Sequence, residues 1–148
     1  MSTALIRRTL VTDSSFTSLA LRLSAGTIFV AHGAQKLFGS LGGHGLEGTG
    51  QWMASIGLEP AYLMALAAGS AEFFGGIALL IGLLTRPAAL ILAITMLVAI
   101  ITVHLPNGLF LSNNGYEFGL ALLGISVALV FNGGGKFSLD RKLAGVAS

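Results

Sequence analysis

Four stretches of the chain are nearly free of charge and long enough, at about 20 helical residues per crossing, to pass through a bilayer. They lie near Phe16–Phe38, Ala61–Leu84, Pro87–Leu105 and Tyr116–Phe131. None carries the broad polar face that a helix of a soluble bundle turns to water. The pattern therefore predicts an all-α, four-helix transmembrane bundle running up-down-up-down, with residues 1–148 forming a single membrane domain. Local signals agree with these spans. Asp13 and Ser14 can cap the first, Pro60 suits the first turn of the second, Pro87 starts the third after a short turn, and Asn132-Gly-Gly-Gly ends the fourth. Ser138 is then placed to cap a short basic tail, SLDRKLAG, lying on the membrane surface.

The basic residues orient these spans. Arg7, Arg8, Arg22, Arg86, Lys136, Arg141 and Lys142 fall on one side of a four-pass chain and only Lys36 toward the other. Cytoplasmic loops carry the excess of Lys and Arg, so both termini and the Thr85-Arg86-Pro87 turn are expected in the cytoplasm. The longest piece between spans, GSLGGHGLEGTGQWMASIGLEP, then lies outside. Within it, Gln51–Ile56 is expected to form one short helix, with Trp52 at headgroup level.

Composition supports membrane insertion: 54% of residues are hydrophobic and 9% charged, against roughly 25% charged in a soluble domain. The formal charge of +2 comes from dispersed residues that build no continuous basic face, which argues against a nucleic-acid partner. The absence of cysteine removes thiolate nucleophiles, disulfide exchange and iron–sulfur ligation. Redox chemistry therefore has to use something the chain binds. Gly43-His-Gly-Leu-Glu-Gly48 matches G-x-G-x-x-G, but no strand precedes it and no βαβ unit surrounds it, so it is no dinucleotide fingerprint. Phosphate-loop, zinc-protease and nucleophile-elbow motifs are absent, as is a long internal repeat. Before the first span there is no short apolar core closed by a small-residue cleavage site, so the N-terminus is expected to be retained.

One residue breaks the most hydrophobic region. Glu72 sits in SAEFFGGIALLIGLL, about 17 Å along the helix from Ala61 and near the middle of its span. A lone carboxylate there costs several kcal/mol unless protonated or paired. Its helical stripe holds Ala65, Ala68, Gly69, Gly75, Gly76 and Leu79, nearly all small, as expected of a face against a neighbouring helix. Bulky Leu66, Phe73 and Leu80 are expected toward lipid. On the first span, His32, Gln35 and Lys36 share one face; His104 ends the third, and Glu117 starts the fourth above Ala121, Gly124 and Ala128. All lie at mid-depth or in the outer half, while the cytoplasmic half holds only Arg22, expected to snorkel to the interface. This asymmetry predicts a polar pocket near the outer face. Each residue also has a plain structural reading: Lys36 as an interface anchor, His104 and Glu117 as helix-end residues, and Glu72 as one half of a bond to Lys36 or His32. A metal site is disfavoured because the ligand-type residues come from separate helices without a local motif.

With these residues in view, the chain resembles the DoxX family of small bacterial membrane proteins. The resemblance rests on HGAQKLFG (32–39), GSAEFFGGIALLIGLLTRPAAL (69–90), His104 with the following PNGLF, NGYEFGLALL (114–123) and GGGKFSLDRKL (133–143), in order along the chain. It implies a four-helix membrane bundle and carries over His32, Lys36, Glu72, His104, Tyr116 and Glu117 as pocket residues, to which the local reading adds Gln35. It also implies an association with quinone-linked oxidation or oxidative-stress responses.

These observations frame three expectations. The first is a quinone-linked redox component, in which His32 or His104 donates to a quinone oxygen, Lys36 offsets developing negative charge and Glu72 or Glu117 relays protons. Glu72, His32 and Lys36 are its catalytic candidates, quinone its expected ligand, and another oxidoreductase its partner. The second is a non-catalytic membrane subunit that scaffolds peripheral oxidoreductases or binds a lipid or small molecule. The third is a small transporter, which with four spans and no inverted repeat would need to form a homo-oligomer.

Overall fold

A computed structural model describes residues 16–146, and every regular element among them is helical. Six α-helices follow in order: α1 (Thr17–Phe38), α2 (Gly45–Ser55), α3 (Ala61–Ile81), α4 (Thr85–Ala99), α5 (Glu117–Asn132) and α6 (Leu139–Val146). The axis of α4 continues through a wider π-type turn, Ile100–His104, and a tight 3₁₀ turn, Leu105–Asn107. Two of these helices, α3 and the continuous run Thr85–Asn107, are long and apolar enough to cross a membrane; α5 is apolar but shorter. The long helices fall close to the four expected spans. The expected cap at Asp13 and Ser14 lies outside the described residues. The outer-loop helix α2 is longer than the expected Gln51–Ile56, because it starts at Gly45.

Close packing of α1 on α3 dominates the interior. Glycines make it possible. A Cβ on Gly76 would stand 2.8 Å from the Val30 backbone nitrogen and 2.9 Å from the Gly26 carbonyl oxygen. A Cβ on Gly33 would meet the Phe73 backbone nitrogen even closer. Lipid tails give helices no hydrophobic reason to associate, so backbone-to-backbone contact at small residues supplies the packing energy. The buried face of α3 is Ala61, Ala65, Gly69, Glu72, Gly76 and Leu79, the small-residue stripe expected from sequence. Phe73 and Leu80 depart from expectation: both are half-buried, Phe73 edge-on to Phe38 at 5.1 Å and Leu80 against Gly26, because bulk on α3 fills the space beside the α1 glycines. Leu66 is exposed as expected, and Phe74, Ile77 and Ile81 are among the other exposed bulky residues of this helix. On its other sides α3 meets α2 and α4, α4 packs on α5, and α5 returns to α1. Phe29, Leu79, Leu92, Leu122 and Leu129 meet in the shared core.

At the end rich in basic residues, the structure corrects the expectation for Arg22. Its side chain does not snorkel; it is fully buried. Nη1 donates to the carbonyl oxygens of Leu79 at 2.8 Å and Leu80 at 3.2 Å in the last turn of α3, where the helix end favours a cation. Nη2 reaches the Phe137 carbonyl at 3.4 Å. Beside it, the buried Asp140 carboxylate accepts from the backbone N–H of Leu84 at 2.6 Å and of Thr85 at 2.9 Å, while its own N–H donates to the Gly82 carbonyl at 2.9 Å. This explains why α4 begins at Thr85, two residues before Pro87: a carboxylate from α6 caps it across the turn. Arg86 likewise donates to the Val130 carbonyl of α5 at 2.8 Å. Ser138 caps α6 as expected, accepting from the Arg141 N–H at 3.2 Å. This half of the protein, expected to be nearly apolar, thus contains a second buried polar cluster that ties the tail to α1 and to the α3–α4 turn.

Candidate functional site

At the opposite end, the helices leave a cavity of about 760 Å³. Its walls come from α1 (Phe29, His32, Lys36), α3 (Met64 to Glu72), α4 with its π-type turn (Ile91 to His104), and α5 (Phe118, Gly119, Leu122); Trp52 and Met53 of α2 lie across it. Most of the lining is apolar. His32, Lys36, Glu72 and His104, drawn from three different helical segments, are its ionisable residues.

Glu72 and Lys36 form the centre of this polar set. Lys36 Nζ lies 2.6 Å from Glu72 Oε2, with the lysine side chain 25% exposed and the glutamate only 5%. The small side chains around Glu72 let α1 come close enough for the contact, and Lys36 sits one turn after His32 on the same face. Such a pair offsets much of the cost of taking a carboxylate out of water, while removal of Lys36 would leave that carboxylate buried without a partner. The less buried Lys36 is the member of the pair that reaches toward the cavity.

His32 stands against Phe118 of α5, ring centroids 6.0 Å apart, and among the described residues no hydrogen-bond partner engages its ring. Both its nitrogens are thus available to a bound molecule. His104 is held differently. Its Nδ1 lies 2.9 Å from the Asn114 carbonyl oxygen, and because a carbonyl only accepts, Nδ1 carries the proton. The neutral ring then offers Nε2 as an acceptor, and only the imidazolium can donate from both nitrogens. The π-type turn Ile100–His104 contributes here: it adds a residue to one helical turn and shifts the face that follows, and Val103 and His104 line the cavity. Such turns occur mostly as single insertions and often at functional sites.

The remaining candidates lie elsewhere. Gln35 donates to the Leu41 carbonyl at 3.0 Å and anchors the loop after α1. Glu117 is exposed and accepts from the Leu111 N–H at 2.5 Å, closing the loop before α5. Tyr116 ends the same loop, its N–H donating to the Gly108 carbonyl at 3.0 Å. None of the three lines the cavity. The stripe running down α5 from Glu117 corrects a sequence inference: Ala121 and Gly124 are exposed, and the buried face is Leu122, Ser126 and Leu129. Small residues alone do not point a helix inward when nearly every other residue on it is apolar. Sequence reasoning also missed the tryptophan and methionine of α2 as lining residues, since a loop helix between glycines gave no signal that it folds over the cavity.

Comparison with known proteins places this arrangement in a family. The DoxX family model matches residues 17–105, which span α1 to the π-type turn and so carry all four ionisable cavity residues. The chain belongs to the DoxX family. It is 38% identical over 112 residues to a Bacillus subtilis protein named "Putative oxidoreductase CatD", covering 76% of this chain and 77% of that one. A membrane protein of Mycobacterium tuberculosis is 35% identical over 141 residues, covering 85% of this chain and 80% of the relative. The Escherichia coli inner membrane protein YphA is 31% identical over 129 residues, covering 84% and 88%. No solved structure matches. This DoxX chain is thus a membrane protein with relatives of membrane and oxidoreductase name, and its DoxX region holds the cavity described above.

Proposed function

We propose that this DoxX protein is a multi-pass component of the bacterial inner membrane that binds a quinone in the cavity and manages its charge and protons, while a peripheral oxidoreductase partner supplies the electrons. In this reading α1, α3, the run from α4 and α5 form a four-helix transmembrane bundle. Both termini lie in the cytoplasm, and the cavity opens beneath the outer face. The arginines and lysines clustered around the α3–α4 turn and α6, against a single lysine at the cavity end, support that orientation.

The observation that carries the proposal is the meeting of His32, His104 and the Lys36–Glu72 pair on one otherwise apolar cavity. Its size is within the roughly 300–1,000 Å³ of small-molecule sites, and its balance of apolar wall and few polar groups is that of an orienting pocket. A quinone presents a flat apolar ring with two carbonyl acceptors. His32 and Lys36 are the donors free to meet one of them, and His104 joins them when protonated. Conversion of a quinone to its quinol takes two electrons and two protons. The electrons come from the partner oxidoreductase; Lys36 stabilises negative charge on the oxygen, and the Lys36–Glu72 pair passes protons to it and is refilled from the water side.

The chain has one tryptophan, Trp52, on the cavity wall, so its fluorescence reports occupancy directly. Addition of 2,3-dimethoxy-5-methyl-1,4-benzoquinone to the protein in lipid nanodiscs is expected to quench Trp52 saturably, and His32→Phe combined with Lys36→Met to abolish the saturable part. Linear, non-saturating quenching in the native protein would contradict the proposal.

A further inference from the structure

The polar atoms around the cavity are sorted by helix. α1 and α4 are diagonal in the bundle, each packing chiefly on α3 and α5, so they face one another across the cavity. From α1 the cavity receives N–H donors, the Lys36 ammonium and the His32 ring. From α4 it receives Thr95, Thr102 and His104. Thr95 Oγ1 donates to the Ile91 carbonyl at 2.9 Å and Thr102 Oγ1 to the Val98 carbonyl at 2.8 Å, each one turn back along the helix. A hydroxyl has one proton, so both oxygens keep only lone pairs for a bound molecule. Neutral His104, its Nδ1 proton held by the Asn114 carbonyl, likewise offers Nε2 as an acceptor. The α4 wall is thus a strip of acceptors opposite a pair of donors. Half-buried Thr95 is the member of that strip level with the donors. Gly75 of α3 packs on Leu92 of α4, an added Cβ there standing 3.1 Å from Leu92 Cγ, and because the two helices run antiparallel this contact sets Thr95 level with Glu72 and its partner Lys36. Thr102 lies two turns further out, about 10 Å along the helix.

A quinone meets such a wall poorly, since its carbonyl oxygens also only accept. A quinol does not, because each phenolic hydroxyl both accepts a hydrogen bond and donates one. We infer that Thr95 selects the reduced form of the ligand: with one oxygen of the ring at Lys36 and His32, the hydroxyl on the far side of the ring donates to Thr95 Oγ1, and the cavity binds quinol more tightly than quinone. The inference rests on the quinone reading for the ring and adds the redox form that the site prefers. The quinol keeps the bond it accepts from α1 and gains one to α4. A neutral hydrogen bond of this kind is worth about fivefold in affinity.

Three ligands with one substituted ring separate redox form from ring shape: 2,3-dimethoxy-5-methyl-1,4-benzoquinone, its 1,4-hydroquinone, and the dimethyl ether of that hydroquinone, which has no hydroxyl to donate. Each is titrated by calorimetry, under argon, into the protein in lipid nanodiscs. The native protein is expected to bind the hydroquinone about fivefold more tightly than the quinone, and the ether no more tightly than the quinone. Thr95→Val replaces the hydroxyl with a methyl of similar size, and the bond it removes lies within α4, so packing between helices is kept. The variant is expected to bring the hydroquinone down to the affinity of the quinone while leaving the quinone unchanged. Thr27→Val on α1 removes an equivalent bond, to the Leu23 carbonyl at 2.7 Å, at an exposed position outside the cavity, and is expected to change neither. Saturable quinone binding with an equal or weaker hydroquinone affinity in the native protein, or a hydroquinone preference that survives in Thr95→Val, would overturn the inference and leave the quinone reading standing. A parallel loss of both ligands in Thr95→Val would overturn it as well, because the hydroxyl would then shape the cavity rather than read the redox form. Failure of all three ligands to bind the native protein would instead remove the quinone reading, and this inference with it.

Discussion

Lys36 on α1 and Glu72 on α3 meet at 2.6 Å across thirty-six residues of sequence, the carboxylate almost wholly enclosed and the ammonium a quarter open to the cavity. The inequality matters for both stability and chemistry. The glutamate depends on its partner to be tolerable where it is, and the lysine is the charge that a bound molecule can reach.

Stability follows from the first of these. Lys36→Met strands the Glu72 carboxylate and is expected to lower stability by about 3 kcal/mol. Adding Glu72→Gln in the same chain should restore most of it, since a neutral amide tolerates burial far better. Thermal unfolding of the two variants in the same detergent reads the difference; equal midpoints would show that the pair does not matter to the fold.

Glu72→Gln alone keeps the shape of the side chain and a hydrogen-bonding partner for Lys36 while removing proton exchange. The variant is expected to fold like the native protein and, under the quinone-linked role proposed above, to lose quinone-dependent turnover with an oxidoreductase partner. Native turnover in a well-folded variant would exclude Glu72 from proton handling.

Packing between α1 and α3 gives a matched test. Gly33→Leu forces a side chain into the Phe73 backbone and is expected to prevent native assembly, whereas Gly124→Leu on α5, where an added Cβ meets nothing within 4 Å, is expected to be tolerated. Detergent-resistant monodispersity by size-exclusion chromatography compares them. Comparable profiles would mean that the α1–α3 approach is looser than described.

The tail lock makes its own prediction. Asp140→Ala removes the acceptor for the Leu84 and Thr85 N–H groups, and loss of a helix cap costs about 1–2 kcal/mol. Hydrogen exchange at those two amides should accelerate by about tenfold, while amides in the middle of α3 keep their protection. Unaltered exchange at residues 84 and 85 would remove Asp140 as the cap.

The contrast between Glu72 and Asp140 explains what the sequence made legible. Glu72 was readable because a carboxylate inside a long apolar run has few places to go, and the small residues around it marked one face of α3. The long apolar helices were readable for the same reason, since long charge-poor runs mark them, and two of them are long and apolar enough to cross a membrane. Asp140 and Arg22 were not: their hydrogen bonds reach across to segments distant in sequence, and nothing in SLDRKLAG distinguishes a carboxylate that caps another helix from one that faces water. Glu117 misled for a third reason. α5 is apolar on every side, so its periodicity carries no information about which stripe faces inward, and the loop amide of Leu111 satisfied the carboxylate instead of the cavity.

We propose that His32, Lys36, Glu72 and His104 form the polar head of a quinone site. The most direct test is to purify the protein in mild detergent from bacterial membranes and to quantify bound quinone by organic extraction, absorbance and mass spectrometry, beside the Lys36→Met/Glu72→Gln double variant. Quinone approaching one equivalent is expected in the native protein and little in the variant. Equal trace amounts in both, with only phospholipid retained, would contradict it.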